Sequence, residues 1–376
     1  MTAMPPFRAD HVGSLLRPQN VTDARAQHFA NKAFFEDTRY PGTPLKDAED
    51  AAIIDVIKLQ EDVGIPVVTD GEIRRSFWHY DFMGMLSGFE LVERGEGVQF
   101  AGMKLRPIFP TIPGTLDFPD DHPMLDHFKF VAEHASVLPK ISIPGPSCCH
   151  FRTAPEDIHP PEYKDLNVLL GDIAAAYKKA VQKFYEAGCR YLQMDDIFFA
   201  YLCDPKHRAD KEAAGQDPDE LINKYAWMMN EAIKDRPDDM IIGMHMCRGN
   251  FRSTHAAEGA YDPAADAVFN KTGVDIFFME YDTDRAGGLE PLKLLSKGKQ
   301  RVLPGFITTK TPELEPMEQL KRQFDEASKY ADMDQLGIAP QCGFASTEEG
   351  NNITQDDQRR KLELVVKVAE DLWGSA

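Results

Sequence analysis

The stretch DIAAAYKKAVQKFYEAGCRYLQMDD, residues 172–196, decides the architecture. Ile173, Tyr177, Ala180, Val181 and Phe184 recur at three- and four-residue spacing, which puts them on one face of a helix, and Gly188 closes it. Tyr191–Asp195 follows, a short run of strand length that ends on two acids. A helix that leads straight into a strand is the repeating half of a βα unit, and such units in series build a parallel sheet.

The same alternation continues on both sides. Strands are predicted near Arg8–Gly13, Val67–Asp70, Ile141–Gly145, Tyr191–Asp195, Ile241–Met246, Asp275–Glu280, Val302–Ile307 and Gly337–Pro340. The firmest helices are Ala51–Val63, Asp172–Ala187, Asp219–Ile233, Met317–Tyr330 and Gln355–Trp373. Strands in that number with helices between them predict an α/β fold, a (β/α)8 TIM barrel. Two segments fall outside the alternation: residues 18–50, read as helical, and residues 86–118, where GFELVERGEGVQFAGMKLRPIF alternates around a Gly-containing turn. They predict N-terminal helical and β-hairpin insertions. No internal repeat and no Pro/Gly/Ser-rich linker divides the 376 residues, so one domain over 1–376 is expected.

Composition removes several classes of function. With 42 basic against 61 acidic side chains the net charge is −19, which repels a phosphate backbone and an anionic membrane surface, so neither nucleic acid nor membrane is an expected partner. No apolar stretch approaches the length of a membrane span. The start MTAMPPFRAD has no basic segment followed by an apolar run, which points to the cytoplasm. In that compartment six cysteines read as buried thiols, metal ligands or a catalytic thiol rather than disulfides. A homo-oligomer is compatible with the sequence, which does not decide it.

In a barrel of this kind the site is built at the C-terminal ends of the strands. Those ends carry Gly13-Ser14, Asp70-Gly71-Glu72, Gly145-Pro146-Ser147, Asp195-Asp196, His245-Met246-Cys247, Glu280, Lys310 and Cys342. His245 and Cys247 are two apart on a strand, so both side chains leave the same face and can grip one ion. Glu280 and Cys342 end later strands and could converge with them. Nitrogen, oxygen and sulfur donors together suit Zn²⁺. The bland reading stands beside this one: cysteine is often simply buried and a strand histidine is often a satisfied core residue. For Glu72 and Asp195 the bland reading is that of solvated loop acids.

The segments around these residues resemble a known family. GMHMCRGN, DIFFMEYDTDRAGG and LGIAPQCGFAS are similar to the zinc-binding segments of the cobalamin-independent methionine synthases, in the same order. RADHVGS, VVTDGE, LQMDD and VLPGFITTKTP resemble other strand ends of that family. The likeness covers nearly the whole chain and corresponds to the C-terminal half of the full-length enzymes, as in a short, single-barrel branch. It implies that His245, Cys247, Glu280 and Cys342 bind Zn²⁺. It also implies that Gly13, Ser14, Glu72 and Asp195 hold a thiol substrate, the backbone and hydroxyl taking its carboxylate and the two acids its ammonium. The implied activity is a zinc-dependent thiol alkyltransferase, a methyltransferase that converts homocysteine to methionine. Its partners are then a small-molecule thiol and an alkyl donor, 5-methyltetrahydrofolate being one candidate.

Three departures bear on the donor. Only half of the full-length pattern is matched. Thr308-Thr309-Lys310-Thr311 stands where the family has Asp-Ile-His-Ser, so Lys310 takes the place of a proton-donating His, as a catalytic acid, an anion binder or a solvated loop lysine. No match for the family's pterin-stacking Trp is evident around Gly145-Pro146-Ser147-Cys148-Cys149-His150. Cys148 and Cys149, adjacent on a predicted strand, point to opposite faces and read as structural. The aromatic cluster Ser76-Phe77-Trp78-His79-Tyr80-Asp81-Phe82 could wall the electrophile's pocket or belong to the core. The chief alternative function is that of the epoxyalkane–coenzyme M transferases, in which a zinc-bound thiol opens an epoxide; Arg8, Arg17, Arg74, Arg75 or Lys310 would then meet the sulfonate. A corrinoid or other methyl donor, hydrolysis by zinc-activated water, and a structural zinc are further readings.

Overall fold

The computed structural model describes residues 7–96, 99–100, 103–104 and 106–376. Parallel strands follow one another around an α/β barrel. Val67–Val68 pairs with Leu138–Pro139, and the same segment continues as Ile141–Pro144 to pair with Tyr191–Asp195. Ile241–Met246, Ile276–Glu280 and Arg301–Gly305 add in sequence order. Val302 and Ile307 then pair with Leu336 and Pro340, and Ile338 pairs with Ala9. All these pairings are parallel, as crossover helices require.

The two segments flanking the last seam are less regular than the spacing predicts, for a reason inside the barrel. Three consecutive carbonyls are taken by side chains: His11 O by Lys140 Nζ at 2.5 Å, Val12 O by Gln193 Nε2 at 2.5 Å, and Gly13 O by Thr69 Oγ1 at 2.7 Å. The seam to Val67–Asp70 is instead joined by the Leu15 N–H donating to Gly71 O at 2.9 Å. Gly337 lets the strand beside Ala9 come close, since a Cβ there would stand 2.8 Å from Arg8 O.

The barrel interior is filled by Phe7, Val12, Val67, Tyr191, Ile276, Phe278, Leu303 and Ala339. A larger apolar layer lies between the strands and the surrounding helices. Helix Leu166–Glu186 begins six residues before the periodic stretch because Asp165 caps it, accepting from the Asn167 N–H at 2.9 Å. Pro218–Ile233 is capped likewise by Asp217, and Gln355–Trp373 starts with a Thr354–Asp357 capping box and ends on left-handed Gly374.

Both insertions are present. Residues 18–50 contain helix Gln19–His28 and the start of helix Pro44–Asp62. Within 86–118, Glu90–Glu93 pairs antiparallel with Ile108–Thr111, and Gln99–Phe100 pairs with Met103–Lys104; the expected turn residues 97–98, 101–102 and 105 lie outside the described residues. Buried Arg25 ties the helical insertion to the barrel through Glu348 at 3.0 Å and Arg74 O at 3.1 Å. One expectation is corrected: Cys148 and Cys149 do not alternate along a strand, because strand Ile141–Pro144 stops before Gly145-Pro146 and Ser147–Phe151 is a short helix. Both thiols are fully buried there and His150 Nδ1 meets the Tyr225 hydroxyl at 2.7 Å.

Candidate metal centre

The strand Ile241–Met246 carries His245 and, just past its end, Cys247, both pointing into the mouth of the barrel, where Cys342 arrives from the loop after Pro340. The donor atoms of His245, Cys247 and Cys342 all lie within 4.8 Å of one another. The two sulfurs are 3.5 Å apart. Two Zn–S bonds of about 2.3 Å at a tetrahedral angle would place sulfurs about 3.8 Å apart, so the pair is already spaced for one ion. All three residues are buried.

The electrostatics favour a cation at this point. A hydrogen bond with Cys247 holds the Cys342 thiol well below the usual range against burial, with His245 helping, while the same contact and burial push Cys247 well above it. Burial alone would depress His245, but Cys342 and Asp195 raise it to about 9. A thiolate shared between a thiol and an imidazole is an electron-rich set whose protons a metal would replace. The residues present therefore fit Zn²⁺.

Glu280 is not among the three. Its Oε1 is paired with the Arg285 guanidinium, its Oε2 accepts the Arg248 N–H at 2.9 Å, and Lys310 Nζ stands 4.0 Å from Oε1. Burial raises its carboxyl, but Lys310, the Arg248 amide and Arg285 outweigh burial and keep it below the ordinary value. The ammonium of Lys310 has no hydrogen-bond partner among the described residues.

Across the pocket stand the predicted substrate residues. Ser14, Glu72 and Asp195 line the same cavity as His245, Cys247 and Cys342. The backbone of the Cys342 loop lies on Ser14: Ala345 N–H donates to its Oγ at 3.2 Å and Phe344 N–H to its carbonyl at 2.9 Å. Gly343 permits this, since a Cβ there would fall 1.9 Å from Ser14 Oγ. Gly13, at φ 135°, turns the chain beside Glu72 and Ser142. Glu72 itself sits in the left-handed region at φ 57°, an uncommon conformation for a residue with a side chain and one that clusters at functional sites. Its Oε1 accepts from Ser142 Oγ at 2.7 Å and lies 3.6 Å from Arg75, while its buried Oε2 has no hydrogen-bond partner among the described residues. Burial, with Asp195 adding, raises the Glu72 carboxyl to about 7 despite Arg75. Asp195 is raised by burial too, opposed by His245 at 3.7 Å and by Gln193. Two buried carboxylates facing one cavity are costly unless a cation joins them.

Four of the candidate sulfonate binders are engaged elsewhere. Arg8 holds Asp334 O and Leu336 O, Arg17 binds carbonyls including Glu72 O and Arg75 O, Arg74 pairs with Asp50, and Arg75 holds Ser142 O at 2.5 Å. Sequence reasoning passed over Asn250, Ser142 and Arg285. Ser142 had a usable signal, a hydroxyl in the apolar run ISIP whose alternation turns it inward; Asn250, which lines the cavity from an irregular loop, and Arg285, on a single 3-10 turn, had none. Of the aromatic run, Trp78 walls the pocket and Phe77 packs against Phe34 in the core. The cavity measures about 30 Å³, room for about two waters, so a bound thiol would displace part of its lining.

Comparison with known proteins decides the family. Residues 9–371 match the model of the cobalamin-independent synthase catalytic domain. The chain belongs to the cobalamin-independent synthase family. Among the family's relatives, uncharacterized protein YxjG of Bacillus subtilis is 44% identical over 371 residues, covering 98% of this chain and 95% of YxjG. A methionine synthase of Sulfurisphaera tokodaii is 25% identical, covering 92% of this chain and 88% of its own. A Listeria monocytogenes structure provisionally assigned as a vitamin-B12-independent methionine synthase superposes over all of both chains with a TM-score of 0.76 at 36% identity. No helix among the described residues is long and apolar enough to cross a membrane.

Proposed function

We propose that this cobalamin-independent synthase is a zinc-dependent methyltransferase that methylates homocysteine to methionine, with the whole of 1–376 acting as one barrel domain. The observation that carries the reading is the placement of the His245, Cys247 and Cys342 donors in one cavity with Glu72 and Asp195. When bound there, zinc supplies acidification of a substrate thiol at neutral pH. Glu72 and Asp195 receive the substrate ammonium, for which Glu72 Oε2, without a hydrogen-bond partner among the described residues, is placed. The Gly13-Ser14 turn receives the carboxylate. Held at both ends, the substrate presents its sulfur toward the two cysteines, which removes much of the orientational cost of the transfer. Lys310, whose buried Nζ has no hydrogen-bond partner among the described residues, donates a proton from Nζ to the departing group of the methyl donor. Of the four ligands that the resemblance implies, Glu280 is the exchangeable one, held by Arg285 beside the cluster.

An ammonium-bearing thiol suits this pocket better than a sulfonate thiol, because the arginines that could meet a sulfonate already bind backbone or acids. Calorimetric titration of zinc-loaded protein with homocysteine and with coenzyme M, in two buffers of different ionisation enthalpy, tests it. Homocysteine binding with release of a thiol proton is expected; binding of coenzyme M alone would transfer the chain to epoxide opening, and binding of neither would overturn the thiol assignment.

A further inference from the structure

Behind Asp195 a chain of buried polar groups runs down the barrel axis. Lys140, fully buried, uses all three of its ammonium donors: Asp10 Oδ1 at 2.7 Å, His11 O at 2.5 Å and Gln193 Oε1 at 2.9 Å. The second Asp10 oxygen accepts from the Tyr191 hydroxyl at 2.8 Å. An ammonium can only donate, so its contact fixes which end of the Gln193 amide is oxygen and leaves the NH₂ end facing the other way. That end donates to Val12 O at 2.5 Å and to Asp195 Oδ1 at 2.7 Å. No described residue donates a hydrogen bond to Asp195 Oδ2, and Asp195 lines the metal cavity.

The charges along this chain close in pairs. Lys140 neutralises Asp10, and Arg75 stands against Glu72 at 3.6 Å. Gln193 brings to Asp195 a dipole and no charge. Apart from His245 at 3.7 Å, no cation among the described residues lies within ion-pair distance of Asp195. Had Lys140 reached Asp195 directly, the acid would have been neutralised and a substrate ammonium would have had nothing to add.

We propose that Gln193 and Lys140 are positioning residues that fix the orientation of Asp195 and leave its Oδ2 open as an acceptor, and so make the site selective for thiols bearing an amine over thiols that lack one. This rests on the thiol reading above. The network also closes the barrel seam through His11 O and Val12 O, so stability alone cannot reveal its role; discrimination between two thiols can. The experiment compares zinc-loaded wild type, Gln193→Met and the charge-neutral pair Asp10→Asn/Lys140→Met, each checked for zinc content and thermal melting. Homocysteine and 4-mercaptobutyrate, the same thiol acid without its amine, are titrated into each. Wild type should prefer homocysteine, and either variant should lose about tenfold or more of that preference, the loss expected when a hydrogen bond to a charged group goes, with 4-mercaptobutyrate affinity little changed. If Gln193→Met folds, holds zinc and keeps the wild-type ratio, the positioning role is overturned while the thiol reading survives. Wild type that binds both thiols equally well overturns the selectivity, and wild type that binds neither overturns the thiol reading together with this inference.

Discussion

Arg285 and Glu280 form a part-buried ion pair at the edge of the candidate metal cluster, in which the guanidinium covers Glu280 Oε1 while the Arg248 amide takes Oε2. Both carboxylate oxygens are thereby held away from His245, Cys247 and Cys342, although Glu280 ends the strand beside them. Removing the guanidinium leaves a buried carboxylate that gains most by turning to a cation. Arg285→Met is expected to tighten zinc binding by about tenfold, the scale on which outer ligands tune metal affinity. Competition with a chromophoric chelator measures it; weaker or unchanged zinc binding would remove Glu280 from the ligand set.

Cys247 and Cys342 should be individually indispensable for the metal and dispensable for the fold. Cys247→Ser and Cys342→Ser are each expected to lose stoichiometric zinc in protein purified without chelator, with far-ultraviolet circular dichroism unchanged. The strands beneath them are joined by backbone pairing that needs no ion. Chelation of wild type should likewise leave the barrel folded, unlike a structural zinc site, where the apo chain unfolds. Full zinc retention by both serine variants would end the metal reading.

How much of this was legible before the structure depends on which forces set each part. Helix Gln355–Trp373 was readable to the residue because its ends are local chemistry, a capping box and a left-handed glycine. The pairing of His245 with Cys247 followed from strand parity alone. The irregular seam at Arg8–Gly13 was not readable, since it arises from Lys140, Gln193 and Thr69 reaching across the barrel to three carbonyls. The position of Glu280 was hidden for the same reason: its partner Arg285 follows in a single 3-10 turn, Asp284–Ala286, whose placement only the packed fold determines. Cys148-Cys149 was misread as extended because Pro146 starts a helical turn as readily as it ends a strand.

Glu72 should make thiol binding depend on pH. Burial raises its carboxyl to about 7, so it is largely protonated below that point and the ammonium then meets Asp195 with less help. Homocysteine affinity is expected to fall as pH drops through about 7, by up to about tenfold per unit, and binding at pH 6 should release a proton from Glu72 besides the thiol's. The sign for stability is opposite. A carboxyl raised in the folded state keeps its proton more firmly than the unfolded chain does, so its contribution to stability is largest at low pH and declines as pH rises toward 7. Glu72→Gln should therefore melt higher than wild type at pH 8 without ligand while binding homocysteine more weakly. An unaltered affinity profile between pH 6 and 8 would exclude Glu72 from the ammonium site.

Lys310 should separate binding from turnover. Its Nζ is buried and without a hydrogen-bond partner among the described residues, and Glu280 Oε1 at 4.0 Å is too far for a hydrogen bond, so the group is held near the cluster with donors to spare. A residue that protonates the departing donor should matter in the transfer step and not in thiol capture. Lys310→Met is expected to keep homocysteine affinity within about threefold of wild type, in line with a group making no ground-state contact to the thiol. Single-turnover methyl transfer, assayed with each candidate donor, should slow by about 10² to 10⁴, the usual contribution of a positioned acid. Lys310→Arg would keep the charge but hardly release a proton, so a slow Lys310→Arg enzyme assigns proton donation, whereas a fast one makes Lys310 an electrostatic partner of Glu280. If Lys310→Met instead abolishes homocysteine binding, Lys310 acts in substrate capture and the acid assignment fails.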